Sequence, residues 1–428
     1  MTLLRRAGGR TFRSLRAHRN YRLYFAGQIT SVCGTWMQNV AMYWLVLDLT
    51  HSAVAVGFLS LARFGPYTLF GLAAGVLADR LDNRRTVVCT QSAQMLLSGV
   101  LAAIALAGAA QAWQLYAIAA AIGTAVVFDV PARQSLTFQM VGRDELPNAV
   151  ALNSSLFNSA RILGPALAGI VIGAVGAGWC FAINAVSFLA VIGGLLAMRT
   201  SELYPLERHG RPTIWQGTRE GFAFVRRSRG VKVLIAMVVV LMSISFNTTV
   251  LLPVLAKQTL AAGPRTFGIL SACFGAGALL GALASALLAR ARWRVMFAGA
   301  GGFGLAEILI APLHSVLVVG TLLFLCGICF TTYMANSNAT IQLGSPDHIR
   351  GRVIGIYYYA WNGPAPLASP LLGWLCAVGG TRLAFGFAGA CALAVTTAGA
   401  VAVSRPTRWR REGRDELGSE QLADATAT

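Results

Sequence analysis

The chain has 428 residues, of which 56% are hydrophobic and only 12% charged, and its mean hydropathy is +0.63. A soluble domain carries about a quarter charged residues, so soluble enzymes, disordered chains and disulfide scaffolds are excluded and lipid is the expected solvent. A net charge of +19 would suggest nucleic acid in a soluble protein; here the placement of the charge along the chain decides.

A membrane crossing needs about 20 mostly apolar residues. Twelve such stretches follow one another at 21–47, 53–78, 86–108, 113–137, 149–173, 177–198, 232–256, 266–289, 295–313, 316–340, 352–377 and 381–403. With the N-terminus inside, only Lys257, Arg265 and Arg382 fall outside and Arg63 and Arg161 fall within spans; the other Lys and Arg residues are cytoplasmic. That bias satisfies the positive-inside rule. Both termini are therefore expected in the cytoplasm, and nucleic acid is not expected as a partner. The Arg-rich start lacks a cleavage pattern, so span one is expected to be retained.

The connection at about 199–231 is long and polar, and it divides the chain into six spans plus six. The resulting units are 1–198, a first bundle with an N-terminal arm; 199–231, a linker; 232–404, a second bundle; and 405–428, a polar tail expected to be disordered. Within the linker, Trp215 to Phe224 fits either an interfacial amphipathic helix or a solvated connection. The halves resemble each other. Val56-Gly57-Phe58-Leu59-Ser60 in span two matches Phe267-Gly268-Ile269-Leu270-Ser271 in span eight, and Asp144 before span five matches Asp347 before span eleven. Matched halves are a signature of duplicated transporters with a site between the repeats.

Motifs follow in chain order. Span one holds Gly27-Gln28-Ile29-Thr30-Ser31 and Gly34-Thr35-Trp36-Met37-Gln38. After span two comes Gly75-Val76-Leu77-Ala78-Asp79-Arg80-Leu81-Asp82-Asn83-Arg84-Arg85. Gly75 permits close helix approach, and Asp79 is placed to pair with arginines or a helix N-terminus. Span four ends in Phe128-Asp129-Val130-Pro131-Ala132-Arg133. Span five carries Arg161-Ile162-Leu163-Gly164-Pro165 and Gly169, where Gly-Pro allows a bend and small residues allow tight packing.

These stretches resemble the major facilitator superfamily, in particular its drug:proton antiporter-3 or transmembrane-secretion-effector branch, which includes enterobactin exporters and macrolide efflux proteins. The likeness covers about 15–405 and is strongest in the first half. It implies an all-α membrane protein of twelve helices in two pseudo-symmetric six-helix bundles. It also implies that Gly75, Asp79, Arg80 and Arg84 form a cytoplasmic gate, although Asp82-Asn83 stand where the family often has one Gly and the basic pair is shifted by one. Gly164, Pro165 and Gly169 resemble an element of superfamily antiporters.

Polar side chains in lipid must face protein or water. Arg63, Gln38, Asn39, Asn247, Tyr333, Asn336, Tyr358, Trp361 and Asn362 are accordingly candidates for a substrate cavity, with hydrogen bonding between helices as the other reading. Asp129 is the candidate proton-coupling carboxylate, with Arg133 one turn away and Arg161 on a neighbouring span; a permanent ion pair is the alternative. Glu307, on span nine, reads as structural or lipid-facing. Cys326 and Cys329 read as core thiols. The sequence contains no P-loop and no metal-ligand cluster, so neither cofactor nor metal is expected. The reading is a monomeric, proton-driven exporter of a small amphipathic molecule such as a drug, antibiotic or siderophore, in the bacterial inner membrane. An importer or symporter, a lipid transporter and a membrane enzyme are the rivals.

Overall fold

The computed structural model describes residues 12–78, 81–205, 214–287, 292–346 and 349–404, and these are almost wholly helical. Span one is Arg19–Thr50, span two Ala53–Ala78, span three Asn83–Leu106 and span six Ala177–Leu196. Spans four and five form one run, Ala112–Val175, broken where Gly142 takes a φ of 71°. Only glycine enters that region without steric cost, so the break falls inside the interval the hydropathy left open. Span seven starts at Arg229–Val240, passes through a π-turn at Leu241–Ser245, resumes as Thr248–Val254 and ends in a second π-turn, Leu255–Thr259. Spans eight, nine and ten are Pro264–Leu287, Trp293–Ile310 and Val316–Leu343. Arg350–Asn362 and Ala365–Ser404 make spans eleven and twelve, with a break at Gly379 and Gly380.

Among the described residues, nine helical runs are long and apolar enough to cross a membrane. Two of them, Ala112–Val175 and Arg350–Ser404, hold 64 and 55 residues, enough for two crossings each. With span one this accommodates the twelve crossings expected, and the protein is a multi-pass membrane protein.

In the first bundle, span one packs on spans five and six, span three on spans four and six, and span two on span four. In the second, span ten packs on spans eight and nine, and span twelve on spans seven and nine. The bundles meet along two crossings, span two on span eleven and span five on span eight. Both rely on absent side chains. A Cβ at Gly57 would lie 2.6 Å from the Ser369 carbonyl oxygen, and one at Gly268 would lie 2.6 Å from that of Pro165. Likewise a Cβ on Gly169 would meet Pro264 O at 2.8 Å, and one on Gly373 would meet Ala53 O at 2.5 Å. The repeat legible in the sequence is thus a repeat in how the halves touch.

The N-terminal arm is anchored. Ser14, fully buried, donates through its hydroxyl to Asn148 Oδ1 at 2.7 Å, and Arg13 pairs with Glu145 at 2.7 Å. Beyond span six, Ile214–Arg227 is a helix that lies against the starts of spans seven and eleven. Its Glu220 pairs with Arg352, and Val225 is buried. A helix is what forms over this stretch, and it packs against the second bundle.

Candidate functional site

Asp129 sits on span four one turn before Arg133, so both side chains leave the same helix face. The carboxylate is only 3% exposed. Its Oδ1 accepts from Thr90 Oγ1 at 2.7 Å and from Gln91 Nε2 at 2.9 Å. Its Oδ2 accepts from Arg133 Nε at 2.9 Å and from Arg133 Nη2. Arg133 reaches on to Gln28 Oε1 at 2.5 Å, which ties spans one, three and four together. Four donor atoms thus hold the Asp129 carboxylate, and its partner cation lies on its own helix. Thr90 and Gln91 did not stand out in the sequence, although two glutamines and a threonine in one apolar span (Thr90, Gln91, Gln94) were the available signal.

Arg161 does not join this network, which corrects its expected pairing with Asp129. Its guanidinium faces the second bundle, 5.1 Å from the Phe274 ring centre and 5.4 Å from that of Phe330. Span five presents residue 161 toward span eight at the crossing, where Gly275 leaves room for the Arg161 carbonyl. Phe330 in turn stacks on Phe246, with ring centres 3.7 Å apart.

At mid-depth the bundles are joined by small polar side chains. Ser60 and Ser369 hydroxyls lie 3.0 Å apart, and Asn247 Nδ2 donates to Ser369 Oγ at 2.9 Å. Thr68 donates to the Gly363 carbonyl at 2.5 Å, and Tyr359 returns a bond to Thr68 O at 2.9 Å. Tyr43 stands between Ser60, Arg63 and Thr249. At the face opposite the Arg-rich loops, Lys257 pairs with Asp48 at 2.5 Å and Gln258 donates to His51 O at 3.3 Å.

The other expected residues divide. Gln38 accepts from Asn184 at 2.8 Å, bracing spans one and six inside the first bundle. Asn336 bonds the Arg292 amide at 3.2 Å and the Thr332 carbonyl, securing the start of span nine. Neither meets the other bundle, so both are corrected from cavity positions to packing ones. Asn39 is half-buried, and Tyr333 is buried with its hydroxyl unpartnered. Tyr358 is exposed, takes a bond from Asn338 and stacks on Trp361, while Asn362 donates to the Tyr358 carbonyl. Gly164 is buried, and a Cβ there would collide with Trp36 on span one. Pro165 and Gly169 serve the crossing with span eight.

Of the expected gate, Asp79 and Arg80 lie outside the described residues, and Gly75 lies within the span-two helix. Arg84 donates to the Leu195 carbonyl at 2.8 Å and to that of Leu196 at 3.2 Å. It therefore caps span six in its own bundle and does not reach across. Of the two readings of Glu307, structural or lipid-facing, the structure excludes the second. Glu307 is 1% exposed, turned into the second bundle beside Cys326 and Cys391, and both carboxyl oxygens lack a hydrogen-bond partner. It does not face lipid.

A family model described as "Transmembrane secretion effector" matches residues 11–423. The chain belongs to this family of the major facilitator superfamily. It is similar to the staphyloferrin A transporter of Staphylococcus aureus, at 22% identity over 87% of this chain and 94% of that one. It is also similar to macrolide efflux protein A of Streptococcus pyogenes, at 24% identity over 67% and 72% of the two chains. In fold it resembles the nucleoside transporter NupG, with a TM-score of 0.69, 12% identity, and coverage of 91% of this chain and 99% of that one. Membership makes the protein an efflux-type secondary transporter of small molecules.

Proposed function

We propose that the protein is a proton-driven exporter that carries a small amphipathic molecule out of the bacterial cytoplasm by alternating access, working as a monomer in the inner membrane with both termini inside. The observation that carries this reading is the form of the contact between bundles. Among the described residues, the hydrogen bonds and the ion pair that join the two halves run from mid-depth to the face opposite the Arg-rich loops. Among the described residues this seam lies away from the inner ends of the bundles, the arrangement expected of a transporter that opens toward the cytoplasm. Arg63, Asn247, Tyr358, Trp361 and Asn362 are the proposed substrate-facing residues, and Gly75, Asp79 and Arg80 are the proposed inner gate.

Asp129 is the proposed coupling carboxylate. In this arrangement it is held by Arg133 on its own helix, and the coupling role requires a second arrangement in which that contact opens. Glu307 supports a second reading, because a carboxyl deep in a membrane protein is a candidate proton carrier and this one has no partner to displace. The decisive experiment uses the purified full chain in liposomes with an imposed pH gradient and a fluorescent amphipathic anion such as 8-anilinonaphthalene-1-sulfonate. Concentrative export that collapses with the gradient is expected. Gradient-insensitive equilibration, or accumulation in the uptake direction, would overturn the proposal.

A further inference from the structure

Two cations lie in the region between the bundles without anions. Arg161 Nη2 and Arg63 Nε are both shielded from solvent and lack a hydrogen-bond partner. Among the described residues no carboxylate is within ion-pair distance of either, and the acids that lie deep in spans are accounted for elsewhere. Asp129 belongs to Arg133, and Glu307 is enclosed in the second bundle beside two cysteines. The ring contacts of Arg161 offset part of the cost of burying its charge, but they satisfy no N–H. Arg63 faces the Tyr43 hydroxyl, which stands beside Ser60 and Thr249 and offers no negative charge.

Each arginine is linked through one intervening side chain to the same stretch of span seven. Arg63 reaches it through Tyr43, which stands beside Thr249. Arg161 reaches it through the Phe274–Phe330 pair, on which Phe246 stacks. This stretch is where span seven leaves regular helix, between the π-turn Leu241–Ser245 and the helix Thr248–Val254. Broken helices at the repeat interface are where transporters of this architecture build their sites. A buried donor without an acceptor is destabilising, the more so when charged, so a pair left open across a moving interface calls for an acceptor that arrives from outside.

We infer that Arg63 and Arg161 form an oxyanion subsite, and that the transported molecule is an amphipathic anion whose carboxylate, sulfonate or phosphate group docks there. The inference rests on the exporter reading for its site but not for its direction of transport. A cationic drug would find two like charges and, among the described residues, no carboxylate within ion-pair distance of them.

The test is binding of four matched probes to the purified full chain in phospholipid-free detergent, read by isothermal titration calorimetry. The probes are naphthalene-2-carboxylate, naphthalene-2-sulfonate, naphthalene-2-carboxamide and 2-naphthylmethylamine. Both anions should bind about tenfold more tightly than the amide, the value expected for one charge-assisted hydrogen bond. Arg63→Gln and Arg161→Gln should each erase that preference, and Arg161→Lys should keep most of it. If a Gln variant does not fold, the Lys variant and the wild-type ranking decide. Amide binding as tight as carboxylate binding, amine binding tighter still, no binding of either anion, or preference surviving both Gln changes would each overturn the assignment. Phosphatidylglycerol binding more tightly than the carboxylate would assign the two guanidiniums to a lipid headgroup and equally overturn it. Anion preference together with counterflow in the uptake direction would leave the subsite standing and sink the exporter reading.

Discussion

Gly57 and Gly268 do the same thing in the two halves: each removes a side chain so that its span can rest on a carbonyl of the opposite bundle. Gly57 lies against Ser369 and Pro370, and Gly268 lies against Pro165 and Gly169. The residues they meet are matched as well, because Pro165 and Pro370 occupy corresponding spans, as do Gly169 and Gly373. A pseudo-two-fold axis that relates contacts, and not only helices, lets both crossings hinge together.

Gly164 tests whether tight packing on span one is required. Gly164→Leu places its Cβ into Trp36, and overpacking of this kind costs about 1–3 kcal/mol. The expected result is a lowered unfolding temperature and loss of export, measured by thermal shift and efflux. Gly193→Ala, where nothing lies within 4 Å, is the control and should change neither.

Asp129→Asn keeps the shape but removes the charge opposite Arg133. Breaking a buried ion pair costs about 3–5 kcal/mol, so yield should fall, and the double variant Asp129→Asn with Arg133→Gln should recover part of it. If Asp129 carries the coupling proton, the folded single variant equilibrates substrate without concentrating it. Concentrative export by Asp129→Asn would remove Asp129 from the coupling step.

Glu307→Gln separates the two carboxylates. With no partner to lose, the amide should leave stability within about 1 kcal/mol of wild type, a change typical of a near-isosteric swap. Gradient-driven export is expected to persist. Its loss, with folding intact, would transfer the coupling role to Glu307.

Arg84→Ala and Asp79→Ala should part company. The first removes a cap from the last carbonyls of span six, worth about 1 kcal/mol, and should lower stability while leaving turnover intact. The second is expected to leave yield near normal and reduce transport strongly. Equal loss of transport in both would return Arg84 to the gate.

Depth was legible in the sequence; azimuth was not. Apolar run length laid out spans that the described helices accommodate, and the gaps at 137–149 and 377–381 contain the glycines at which the long helices break. The duplication read from Gly57 and Gly268 reappears as matched contacts. Direction around each helix axis escaped, because a polar residue in an apolar span must face something but the one-dimensional chain does not say what. Gln38 turned to Asn184, Arg161 turned from Asp129 to two phenylalanines, and Glu307, left open between lipid and protein, turned to protein. The irregular centre of span seven was also silent, since its π-turns carry no glycine or proline at Leu241–Ser245.

The pairing of Lys257 with Asp48 has a practical corollary. The chain contains only two lysines, Lys232 near the Arg-rich end of span seven and Lys257 at the other. One side-chain amine therefore stands on each side of the bilayer, and the one at the far face is engaged in a contact across the seam. A membrane-impermeant amine reagent applied from that face has a single lysine to find, and the contact shields it. The rate at which Lys257 is acylated is thus a built-in clock for separation of the two halves, readable by mass spectrometry without introducing a cysteine, a dye or a tag.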